Sequence, residues 1–156
     1  AQSLLNGGTV FWCGNGGSAS DSQHMAAELV GRFKRNRRPL RSMALNADTS
    51  VLTCVANDFS YENIFSRQLE AHGRSGDILV GISTSGQSEN ILKALKTAKD
   101  MGIATIGLLG KGGGDALAQV DHALVVPSDT TARIQESHIL IGHILCELIE
   151  IELGIS

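Results

Sequence analysis

Short runs of continuously apolar residues alternate along the chain with longer segments whose apolar positions recur at helical spacing. Thr9 to Cys13, Ser42 to Leu45, Ile78 to Ile82, Ala104 to Leu108 and Ala123 to Val126 read as five strands. Between them Ser20 to Gly31, Thr49 to Asn57, Tyr61 to Gly73, Ser88 to Met101, a short piece near Asp115 to Gln119 and a long segment from Thr131 to Leu153 read as helices. Strands without polar alternation are buried on both faces, so the pattern predicts a parallel sheet covered by helices on each side. Ligands of such sheets collect at the carboxyl ends of the strands, where the strand order reverses. The two most polar strand-to-helix turns, after Cys13 and after Ile82, are therefore expected to share one crevice.

The second of these turns, Ser83-Thr84-Ser85-Gly86-Gln87-Ser88, places four hydroxyls where a strand passes into a helix. The first N–H groups of a helix lack partners within it and the peptide dipoles make that end positive, so an anion finds donors and a favourable field there. Capping would use one of these hydroxyls, not four. The turn reads as a phosphate cradle, without the Lys of a Walker-type loop. The first turn, Cys13-Gly14-Asn15-Gly16-Gly17-Ser18, lets backbone approach a ligand at its glycines. It lacks the spacing of a dinucleotide fingerprint, and a plain tight turn accounts for the glycines as well.

His24 and Glu28 are four residues apart on a predicted helix and share a face turned to the expected crevice. Such a pair is a ready metal chelate, but a surface hydrogen-bonded pair is the commoner outcome of the spacing and the favoured reading of these two residues alone. The last helix carries Gln135 and His143 on a broadly similar face, about 12 Å apart along the axis. Spacing does not settle whether both reach one metal. Asn57-Asp58 ends another helix and is placed to meet sugar hydroxyls or simply to stop the helix.

A length of 156 residues with 42% hydrophobic content supports one domain, 1–156, and leaves little room for a second. The net charge of −3 argues against nucleic acid as a primary ligand. The basic run Arg32-Phe33-Lys34-Arg35-Asn36-Arg37-Arg38 is expected to be a solvated loop, with sugar-phosphate steering as its second reading. Cys13, Cys54 and Cys146 lie in apolar segments without CxxC spacing, as reduced core thiols in a cytoplasmic protein would. No apolar run approaches the ~18 residues of a membrane span. Ala1 to Asn6 read as the last turns of a helix stopped by Gly7-Gly8, so a helix upstream is expected.

Four ordered blocks, CGNGGSASDSQHMAAELVGRF, VANDFSYENIFSRQLE, GDILVGISTSGQSENILKAL and ARIQESHILIGHILCELIE, resemble the phosphoheptose isomerases of the sugar isomerase (SIS) domain superfamily. The resemblance runs from about Leu5 to Leu153. It implies a three-layer α/β/α sandwich with a five-stranded parallel sheet in flavodoxin-like order. The implied activity is aldose–ketose isomerisation of sedoheptulose 7-phosphate to D-glycero-D-manno-heptose 7-phosphate, the entry to bacterial heptose synthesis.

By that resemblance Ser83, Thr84, Ser85 and Ser88 hold the phosphate, and Asn15, Gly16, Gly17, Asn57 and Asp58 line the sugar. His24, Glu28, Gln135 and His143 match zinc positions, with Glu28, Gln135 and His143 also near the substrate; proton movement between C1 and C2 needs two groups, and Glu28 and His143 are the candidates for that pair. The family's N-terminal helical segment, which helps assemble a homotetramer, is mostly absent from these residues. A second reading is a non-catalytic SIS protein such as the replication-initiator-associating regulators, which share the fold and the RIQE helix and have no use for the metal set.

Overall fold

The computed structural model describes residues 1–155. Five strands, β1 (Val10–Gly14), β2 (Ser42–Ala44), β3 (Ile78–Ser83), β4 (Ala104–Gly110) and β5 (His122–Val126), form one sheet in the order β2-β1-β3-β4-β5. All four pairings are parallel. The helices are α1 (Gln2–Leu5), α2 (Gly17–Val30), α3 (Thr49–Asp58), α4 (Ser66–His72), α5 (Glu89–Asp100) and α6 (Thr131–Glu152).

Alternation along β1 divides the core. Phe11 and Cys13 face a cluster that includes Val55 of α3, Leu69 of α4 and Ile91 and Leu95 of α5. Val10 and Trp12 face the opposite cluster, with Met25 and Leu29 of α2 and Cys146 of α6. The result is the expected helix–sheet–helix sandwich. β5 is the exposed edge, with Leu124 40% accessible.

The chain leaves β1 toward β2 on one side and returns past β1 to β3 on the other, so strand order reverses between β1 and β3. Gly14 lies in register with Ile82 at their carboxyl ends. The glycine turn after β1 and the serine turn after β3 therefore open side by side, as the sequence pattern predicts.

Three expectations need correction. The segment Tyr61 to Gly73 is not one helix: Tyr61–Asn63 form a 3-10 turn before α4, where Asn63 Nδ2 donates to Ser60 Oγ and the Ser66 hydroxyl to the Asn63 carbonyl, side-chain bonds that compete with a continuous helix. The helix placed near Asp115 to Gln119 is instead a 3-10 segment, Lys111–Ala118, kinked by positive φ at Gly112, Gly113 and Gly114. Cys54 is exposed on α3, whereas Cys13 and Cys146 are buried.

Candidate active site

The serine turn is braced from below. Gly86 has φ +66°, and a Cβ there would lie 1.9 Å from the Gly113 carbonyl oxygen, so only glycine admits this contact. Ala116 N–H donates to the Gly86 carbonyl, and Gln87 Nε2 to Asp115. The glycine-rich run 110–114 is thus the support of the loop. Within the turn, Gly86 N–H donates to Ser83 Oγ at 3.0 Å, Gln87 N–H to Ser85 Oγ at 3.2 Å, and the hydroxyls of Ser83 and Ser88 are 3.4 Å apart. Ser88 occupies the N-cap position of α5, yet its hydroxyl makes no capping bond. Capping does not account for it, and the hydroxyl stays available to an anion at the helix N-terminus.

In the glycine turn, Gly16 has φ +58° as the N-cap of α2. Asn15 is bound on both sides of its amide: it donates to Asn90 Oδ1 at 2.8 Å, while its Oδ1 accepts from Asn90 Nδ2 at 2.9 Å and from the Tyr61 hydroxyl at 3.0 Å. This amide pair ties the β1 turn to the start of α5. Asn90 and Tyr61 escape sequence reasoning because each stands in an element read for its periodicity. Asn57 and Asp58 are exposed at the end of α3 and bond to each other at 2.8 Å, with Cys54 Sγ 3.5 Å from Asp58.

α2 and α6 cross the same face of the sheet side by side. A Cβ on Gly17 would lie 2.7 Å from Gln135 Nε2, Met25 abuts Gly142, and His24 meets His143. Residue numbers rise together on both, so the helices run parallel and Gln135 sits at the glycine turn, two turns above His143. His24 Nε2 is 3.0 Å from Glu28 Oε1 and 3.5 Å from His143 Nε2. The imidazoles meet edge to face, with centroids 5.1 Å apart, and the Phe33 ring stacks on His143 at 5.6 Å and 18°. The ligand atoms of His24, Glu28 and His143 all lie within 4.8 Å of one another.

That donor set fits zinc. Ligand atoms ~2.0–2.1 Å from a tetrahedral zinc stand roughly 3.3 Å apart, close to the two separations here, and two imidazoles with one carboxylate leave a fourth position open, as catalytic zinc sites do. Gln135 lies against Gly17 at the glycine turn, with its amide oxygen 3.8 Å from the position of a Gly17 Cβ.

Two further groups surround the histidines. Burial pushes the Asp21 carboxyl above its ordinary range, and His138, His24 and His143 draw it part of the way back. His138 is 1% exposed; its Nε2–H donates to the Leu109 carbonyl at 2.9 Å and its Nδ1 has no partner. Burial holds its pKa below the ordinary value, more than the Leu109 bond and Asp21 raise it. The sequence gives no signal for Asp21 beyond its place one turn before His24.

The SIS domain family model matches residues 1–110. A phosphoheptose isomerase of Clostridium acetobutylicum is 58% identical over 152 residues, which are 97% of this chain and 78% of that protein. Among solved structures, phosphoheptose isomerases from Neisseria gonorrhoeae (TM-score 0.91, 47% identity, 96% of this chain and 79% of that one) and Francisella tularensis (TM-score 0.92, 43% identity, 95% and 79%) share the fold. The chain belongs to the SIS domain family and, within it, to the phosphoheptose isomerases.

Proposed function

We propose that this protein is an aldose–ketose isomerase that converts sedoheptulose 7-phosphate to D-glycero-D-manno-heptose 7-phosphate in heptose precursor synthesis. The observation that carries the reading is the convergence of His24, Glu28 and His143 from two helices, and the uncapped Ser88 hydroxyl at the N-terminus of α5 supports it. The names of the relatives point the same way. A regulator acting through protein contacts has no use for such a cluster.

Ser83, Thr84, Ser85 and Ser88 hold the phosphate with the N-terminus of α5 behind them. Asn15, Gly16, Gly17, Asn57, Asp58 and Gln135 meet the sugar. Isomerisation takes a proton from C1 of the ketose, passes through an enediol as the O1 proton moves to O2, and returns a proton to C2. Glu28 and His143 together are the proton-transfer pair of that exchange. His24, Glu28, His143 and, through its amide oxygen, Gln135 are the groups proposed to hold zinc; a bound zinc ion supplies Lewis-acid polarisation of the carbonyl.

We further propose a homotetramer. Leu140, Ile144, Leu148 and Ile151 recur at helical spacing on α6 and are 60%, 46%, 50% and 61% exposed, an apolar stripe bordering His143 that a second copy would cover. Three unpaired thiols fit a cytoplasmic enzyme, and among the described residues no helix is long and apolar enough to cross a membrane.

Incubation with sedoheptulose 7-phosphate should yield the aldose phosphate, with unphosphorylated sedoheptulose a very poor substrate. No aldose from any heptose or related ketose phosphate, in a protein that binds no zinc, would replace this reading with the regulator.

A further inference from the structure

The basic run after α2 is a largely exposed loop, as its composition suggests, but Arg37 within it is not solvated. Glu150 and Arg37 form an ion pair at 2.9 Å with both side chains 3% exposed. The Glu150 carboxylate also accepts the backbone N–H groups of Phe33, Lys34 and Arg35 at 3.2, 3.1 and 3.2 Å. Arg37 in turn donates to the carbonyls of Glu28 and Leu29, both at 2.8 Å. One knot thus fastens the loop to α6, closes the carboxyl end of α2 at the residue that carries the Glu28 carboxylate, and fixes the backbone of Phe33.

Consequences reach the cluster directly. Glu150 lies seven residues after His143 on α6, two turns along nearly the same face. The Phe33 ring, held by its own N–H on Glu150, stacks on the His143 imidazole. His143 then has one ring face covered and its Nε2 aimed at His24. The loop's side chains are mostly exposed, yet its backbone and Arg37 put four donors on one buried carboxylate. Burial of such a group is costly unless every lone pair is used, and here it is used to hold one ring against one histidine.

We propose that Glu150 and Arg37 are positioning residues that act through Phe33 to hold His143, and through the Glu28 carbonyl to hold Glu28, in the geometry that binds a divalent metal and moves the proton. This rests on the reading of His143 and Glu28 given above. Groups that orient a metal-binding side chain from behind usually matter 10- to 100-fold.

The test pairs turnover with cobalt(II) titration followed by its visible absorption, which needs no turnover. Phe33→Ala leaves the knot intact and should lower kcat and cobalt affinity roughly 10- to 100-fold, with KM and thermal midpoint little changed. Phe33→Tyr should restore both. Glu150→Gln should show kcat and affinity losses at least as large, with an added loss of stability, and the double variant Phe33→Ala/Glu150→Gln should have the kcat of Glu150→Gln, because Phe33 acts only as part of what Glu150 holds. Wild-type kcat and cobalt affinity in Phe33→Ala, or losses that Phe33→Tyr does not repair, would overturn the inference and leave the knot a purely structural clasp. A wild type that isomerises nothing would overturn the reading of the active site, while the cobalt affinities would still decide whether the knot positions the cluster.

Discussion

A Cβ on Gly142 would lie 2.4 Å from the sulfur of Met25, so these two residues set how closely α6 approaches α2. They are the chain neighbours of His143 and His24, whose Nε2 atoms stand 3.5 Å apart across the same seam. Met25 is 1% exposed and has little room to retreat. Gly142→Ala is therefore expected to part the helices locally. Overpacking costs about 1–3 kcal/mol, and the better helix propensity of Ala returns about 1 kcal/mol, so the melting temperature should move by only a few degrees. Turnover and zinc affinity should fall far more, roughly 10- to 100-fold. Wild-type zinc affinity in Gly142→Ala would show that the seam does not set the cluster.

Ser88 offers a separation of stability from binding. An N-cap serine replaced by alanine ordinarily costs about 1 kcal/mol, but Ser88 makes no capping bond. Ser88→Ala should melt close to wild type. Its hydroxyl as a charge-assisted donor to phosphate is worth about 1.5–3 kcal/mol, so KM should rise roughly ten- to hundredfold. A large drop in stability with unchanged KM would assign Ser88 to the helix instead.

Acid stability should carry the signature of Glu150. Burial pushes its carboxyl upward, and the N–H donors of Phe33 and Lys34, the Arg37 guanidinium and the Arg35 N–H more than reverse that, leaving it below the ordinary 4.5. A carboxyl so depressed contributes stability that is fully present above 4.5 and is lost as pH falls through its folded-state value. Asp121, held below its ordinary 3.8 by Thr105, adds to the same limb. Glu150→Gln should be less stable than wild type at neutral pH, with the gap narrowing as pH drops below 4.5. Urea unfolding across that range measures it; a gap that stays constant would contradict the assignment.

The sheet, its switch point and the serine turn were legible because each rests on local chemistry: continuous apolar strands, a run of hydroxyls, a helix starting at a known place. His24 and Glu28 were legible as a pair because both lie on one helix. Their meeting with His143 is legible only through the family resemblance and not from spacing, since the parallel register of α2 and α6 depends on Gly17 and Gly142 fitting against Gln135 and Met25. The basic neighbours of Arg37 suggest a solvated side chain, and its burial depends on Glu150, 113 positions away. The packing of the Gly110–Gly114 run under Gly86 has no signal in composition, because it depends on the positive φ of Gly112, Gly113 and Gly114.

The central claim is that Glu28 and His143 move the proton in a heptose phosphate isomerisation. Turnover of sedoheptulose 7-phosphate by wild type, Glu28→Gln and His143→Ala, each checked for fold by circular dichroism, tests it most directly. Loss of one general acid or base costs about 10²–10⁴-fold, so both variants should be folded and nearly inactive beside an active wild type. An active wild type with both variants within about threefold of it would contradict the account.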